Sequence, residues 1–146
     1  MRVSHFIGPE PRGGNVRYAE VMHQCLLEIG VDSQILPASP DLDASWFEKG
    51  EARDCTIICH SGTCSRSALI RLREVTDLRL IFLAHNPQRP KNMDLYDLVV
   101  PVSKYVLSSL LAGGDDQVKI FQTPTYIPSE YIGSVLAVLV NKTPPN

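Results

Sequence analysis

The chain has 146 residues, 44% of them apolar, with 14 Lys plus Arg set against 16 Asp plus Glu for a net charge of −2. That length supplies the core of one domain, and the balanced charge lacks the basic excess that drives nonspecific nucleic-acid binding, so no nucleic-acid partner is expected. The longest apolar run, residues 135–140, is far too short to cross a bilayer, and residues 1–14 lack the apolar stretch of a signal peptide; a soluble, cytoplasmic protein is the expectation.

Residues 3–7 form a short β-like run, and the Gly- and Pro-rich residues 8–14 then leave regular structure. From Asn15 the period becomes helical, with Val16, Ala19, Met22 or His23, Leu26, Leu27 and Ile29 recurring, Asn15 as N-cap and Gly30 as the C′ residue. Residues 33–36 read as a second strand, 37–45 as a polar connection and 46–51 as a helical turn. Residues 54–60 are a continuous apolar strand, the pattern of a parallel sheet covered on both faces. A surface helix over 63–75 follows, with Leu69, Leu72 and Val75 inward and Arg66, Arg71 and Arg73 elsewhere. Residues 78–84 and 98–102 are further strands; Ser103 caps a helix through Leu111, Gly113 and Gly114 stop it, and 118–122 forms a last strand. The cysteines, Cys25, Cys55, Cys59 and Cys64, lack C-x2-C spacing and read as reduced, small hydrophobes, with no metal site and no cofactor expected.

This alternation predicts an α/β, Rossmann-like, doubly wound and mostly parallel sheet with helices on both faces in a single domain. Ligands of such sheets bind beyond the carboxyl ends of the strands. The loops after Ile7, Cys59, Ala84 and Val102 therefore share a rim carrying Gly13-Gly14, His60-Ser61-Gly62, His85-Asn86 and Ser103-Lys104.

Two nearby chemistries fail on spacing. A cysteine phosphatase loop needs H-C-x5-R-S, whereas the order here is Cys59-His60 and Arg66 follows one residue too late, which rotates the thiol out of the phosphate cradle. A dinucleotide fold needs G-x-G-x-x-G, and the first loop offers only Gly8, Gly13 and Gly14. Two adjacent glycines before a helix still allow amides and the helix dipole to approach a phosphate.

The string GPEPRGGNVRYAEVMHQCLLEIGVDSQIL, followed by DCTIICHSG, LRLIFLAHNPQRP, YDLVVPVSKYVLSSLLAGG and QVKIFQTPTYIP, resembles in its order the acceptor-side, N-terminal domain of retaining GT-B glycosyltransferases, group 1 (family 4). The resemblance spans residues 1–128, leaving 129–146 as a C-terminal tail or the start of a donor domain. It implies transfer of a sugar from a nucleotide-diphosphate-sugar to a hydroxyl of a small-molecule or glycan acceptor. Gly13 and Gly14 would lie at the donor phosphates, Asn15, His60, Ser61, Asn86 and Ser103 at the acceptor, and His85 would be the catalytic residue. A strand-end histidine can orient a hydroxyl or move a proton.

The family's second domain, with its E-x7-E motif, is missing from these residues. Glu20 and Glu28 share that spacing but belong to the first amphipathic helix. The chain is thus expected to be inactive by itself, whether it is a natural fragment, a short paralogue or a cut piece, and its partner would be the missing donor-binding domain. Arg66, Arg71 and Arg73 leave contact with an anionic membrane surface open. The alternative is a noncatalytic Rossmann-like binding or interaction module.

Overall fold

The computed structural model describes residues 2–7, 14–37, 55–60, 65–74, 78–88, 91–113 and 120. Five strands, β1 (Arg2–Ile7), β2 (Asp32–Pro37), β3 (Cys55–Cys59), β4 (Arg79–Ala84) and β5 (Leu98–Pro101), form one sheet in the order β2-β1-β3-β4-β5. Every neighbouring pair is parallel. Among the described residues the helices are α1 (Gly14–Glu28), α2 (Arg66–Arg73) and α3 (Lys104–Ala112), with a 3-10 turn at Met93–Leu95. The expected α/β, Rossmann-like architecture is present. Its strand order reverses between β1 and β3, the position where open parallel sheets bind ligands.

Side-chain alternation divides the core into two layers. Val3, Ile58, Ile81, Leu83, Leu98 and Val100 pack with Tyr18, Met22, Cys25 and Leu26 of α1. Phe6, Ile57, Cys59, Leu80 and Val99 face the other way, onto Leu69 and Leu72 of α2 and Val106 and Leu110 of α3. The apolar runs are thus covered on both faces, and Cys25 of α1 and Cys55 and Cys59 of β3 are buried cysteines that form no disulfide.

Local chemistry sets the helix ends. Ser65 accepts from the Ala68 N–H at 3.2 Å and Ser103 from the Val106 N–H at 3.2 Å, both as N-caps. α2 therefore begins later than the pattern from residue 63 suggests. α1 ends in a Schellman turn: Val31 N–H bonds Leu26 O, Gly30 N–H bonds Leu27 O, and Gly30 takes φ +81°. Leu27 and Ile29, expected on the inner face, are 44% and 52% exposed. The buried stripe runs instead through Tyr18, Ala19, Met22, Cys25 and Leu26.

Of the expected strand over 118–122, Ile120 makes a parallel bridge to Val99. The helical turn over 46–51, Cys64, Val75 and the tail over 129–146 lie outside the described residues.

Asp97 ties three elements together. Its Oδ2 accepts from Arg73 at 2.6 Å and from the backbone N–H of Leu80 at 2.8 Å, while its own N–H donates to Leu80 O at 2.8 Å. Asp97→Ala leaves the Leu80 N–H without its carboxylate and should cost about 1–3 kcal/mol, whereas Arg73→Ala removes a partly solvated ion pair and should cost under about 1 kcal/mol. Urea unfolding of the two variants checks that order.

Candidate functional site

The alternation that builds the α1-side core also carries a polar row. In β1, Val3 faces α1, so His5 does as well; its register partner in β3 is Ile58, which in turn pairs with Ile81 of β4. Two residues beyond Ile58 stands His60, and two beyond Leu83 stands His85. His60 prolongs β3 by donating its backbone N–H to Phe6 O at 2.9 Å. Three histidines from three adjacent strands thus converge under α1 at the carboxyl end of the sheet, with β1 and β3 on either side of the order reversal.

The rings are hydrogen-bonded in series. His5 Nδ1 lies 3.0 Å from His60 Nε2, and His60 Nδ1 lies 3.4 Å from His85 Nε2. Tyr18 of α1 meets the edge of the His85 ring at a centroid distance of 5.3 Å and stands 6.4 Å from His60. His23, also on α1, packs edge-on at 6.4 Å from His5 and pairs with Ser33 Oγ at 2.9 Å. All four histidines of the chain therefore belong to one cluster.

Burial controls its electrostatics. His5 is 0% and His60 1% exposed, while His85 keeps some contact with solvent. Desolvation holds His5 at about 3, with the nearby His23 adding to the effect. It holds His85 at about 4, and it pushes His60 well below the ordinary histidine range, helped by His5 and His85. At neutral pH the three rings are uncharged. Among the described residues no group of three His, Cys, Asp or Glu is placed to hold a metal ion.

The expected site residues separate into groups. His60 and His85 are brought together, but His60, expected to be exposed, is buried because β3's alternation and hydrogen bonding continue through it. Asn86 is exposed beside His85, its Oδ1 accepting from the Gln88 N–H at 3.1 Å. Ser103 follows β5 at the same end of the sheet, with its hydroxyl engaged in capping α3. Gly14 opens α1, and Asn15 follows in its first turn, one turn before Tyr18. Gly13 and Ser61 lie outside the described residues.

Sequence reading did not single out His5 and Tyr18. The usable signal was a polar residue at an inward position of an apolar strand, VSHFI, since a buried polar group is the informative exception. Arg66 and Arg73 are engaged with Asp94 and Asp97, Arg66 by a bidentate pair at 2.9 and 2.7 Å. Among the described residues no helix is long and apolar enough to cross a membrane.

No family model and no curated relative matches the chain. Among solved structures it is similar to HepE of Anabaena, crystallised in complex with UDP-glucose, with a TM-score of 0.54 and 12% identity. The match covers 83% of this chain and 43% of that one, so the chain spans less than half the length of HepE. At this identity the likeness is one of fold.

The buried rings make stability depend on pH in a defined direction. Their folded-state affinities for protons lie below the unfolded value of 6.5, so the unfolded chain binds more protons in acid. Stability is complete above pH 6.5 and declines as pH falls toward about 4, by at most about 1.4 kcal/mol per pH unit for each ring. Urea midpoints measured across that window should fall steadily; a flat profile would contradict neutral burial.

Proposed function

We propose that the chain is the acceptor-side domain of a retaining GT-B glycosyltransferase, which moves a sugar from a nucleotide-diphosphate-sugar to a hydroxyl acceptor. The observation that carries this reading is the placement of partly exposed His85, with Asn86 beside it and Tyr18 against it, at the carboxyl end of β4. The histidine row that ends there begins at β1 and β3, on either side of the order reversal, in a fold similar to that of a protein solved with UDP-glucose.

Roles follow from position. The amides of the Gly13-Gly14 pair meet the donor diphosphate, Gly14 standing at the start of α1, where the first-turn N–H groups of a helix and its dipole favour negative charge. His85 holds the acceptor hydroxyl in line with the sugar carbon, with Asn86, Asn15, Ser61 and Ser103 around the acceptor. His60, being buried, acts through His85 rather than by touching the acceptor. A donor-binding domain supplies the other half of the cleft and most of the stabilisation of the departing diphosphate. Without it the chain binds weakly and does not turn over. Retention of anomeric configuration is taken from the family that the sequence resembles.

Titrating the labelled 146-residue chain with UDP-glucose, read by NMR, tests the reading. Shifts are expected at the amides of Gly14 to Tyr18 and at His85 and Asn86, with no sugar transfer or donor hydrolysis. His85→Ala, on the acceptor side, should remove the shift at Asn86 while leaving those at Gly14 to Tyr18, where the donor diphosphate meets the α1 amides. A silent rim at millimolar ligand would refute the nucleotide-sugar assignment and favour a noncatalytic module, and robust turnover by the chain alone would refute the need for a second domain.

A further inference from the structure

We propose that His60, buried in a row with His5, is a positioning residue that fixes the tautomer of His85, so that His85 presents Nδ1–H to an oxygen acceptor of the ligand at the sheet rim. The ligand contact deepens the sugar-transfer reading and rests on it, whereas the tautomer assignment rests on the three rings alone.

A neutral imidazole carries one N–H and one lone pair. Two ring-to-ring contacts join three rings: His5 Nδ1 to His60 Nε2 at 3.0 Å and His60 Nδ1 to His85 Nε2 at 3.4 Å. Each contact needs one hydrogen. If both hydrogens came from His60 it would be a cation in a site 1% exposed, and if neither did it would be an anion. Neutral rings therefore leave two concerted arrangements. In the first, every ring carries its proton on Nδ1 and the donors run outward from His5 through His60 to His85. In the second, every ring carries its proton on Nε2 and the donors run inward.

His5 decides between them. Its Nε2 is buried and has no hydrogen-bond partner among the described residues. The inward arrangement would place an N–H there without an acceptor, whereas the outward one places only a lone pair there, and unpaired buried donors are the rarer of the two. The outward arrangement leaves Nδ1–H of His85 as its free end, on a ring that retains some exposure and whose Nδ1 makes no bond among the described residues.

That end is a hydrogen-bond donor with no lone pair for a proton. It suits a sugar hydroxyl oxygen or a phosphoryl oxygen, and it makes His85 an orienting group rather than a general base. Accepting a proton at Nδ1 would first require all three rings to exchange tautomers together.

Long-range 15N–1H correlation spectra of the histidine rings in the full chain, recorded at neutral pH without ligand, test the assignment. His5, His60 and His85 should all show the Nδ1–H pattern, the opposite of the Nε2–H form that isolated imidazoles favour. In His60→Leu, which deletes the ring that donates to His85 Nε2, the partly exposed His85 should shift toward Nε2–H. In His60→Gln, whose side-chain N–H can stand where Nδ1–H stood, His85 should keep Nδ1–H, a rescue that a merely space-filling role would not produce. In His5→Phe the buried end of the row becomes His60 Nε2, which again holds only a lone pair, so His60 and His85 should both keep Nδ1–H. Should the Leu variant fail to fold, the native and Gln spectra still decide. An Nε2–H or protonated His85 in the native chain, or an unchanged His85 in folded His60→Leu, would overturn the proposal. Loss of UDP-glucose binding with the Nδ1–H pattern intact would remove the sugar-transfer reading and leave the positioning role standing. Binding with His85 in the Nε2–H form would do the reverse.

Discussion

Side chains alternate along a strand, and in a parallel sheet held in register that alternation is shared by neighbours. With His5 opposite Ile58 and Ile58 opposite Ile81, the residues two beyond Ile58 and two beyond Leu83 must fall on the face of His5. The row His5, His60, His85 is therefore a consequence of strand register, and α1 closes over it with Tyr18, Met22 and Leu26. Burying three imidazoles in this way is tolerable only if they satisfy one another. They do so through two ring-to-ring bonds, which leave His5 Nε2 as the buried nitrogen without a partner among the described residues and His85 Nδ1 at the partly exposed end.

Much of this was legible in the amino-acid order. β3, β4 and β5 are continuous apolar runs because both of their faces are covered, and the ends of α1 and α3 were marked by Gly30 and Ser103. Other features depended on tertiary detail. The inner face of α1 could not be fixed from periodicity, because Leu27 stands about 100° around the helix from buried Leu26 and Ile29 lies in the Schellman turn beyond Glu28. The short turn at Met93–Leu95 has too few residues to show a period, and it is positioned by the bidentate hold of Arg66 on Asp94.

The site was half legible for a related reason. His60 and His85 stand at strand ends, where loop chemistry is sought, and both were found there. His5 sits inside a strand, where a histidine reads as an ordinary core residue until the register shows which neighbours it meets. The strand over 54–60 was expected to end with His60 exposed at the rim, whereas its N–H to Phe6 O makes it the last inward position of that strand, and buried.

At the level of fold the chain is Rossmann-like, and that fold by itself hosts many functions. What narrows the choice is a neutral, mutually bonded histidine row ending at the crevice where such sheets bind ligands. An uncharged donor at that end suits orienting a hydroxyl more than drawing a proton from it. The most direct measurement is an NMR titration of the ring Cε1–H signals of His5, His60 and His85 in the native chain. The account predicts that none titrates near 6.5, with His85 turning over at about 4 and His5 at about 3. A midpoint near 6.5 for any of the three would mean that the ring is solvated and that the row does not exist as one buried unit.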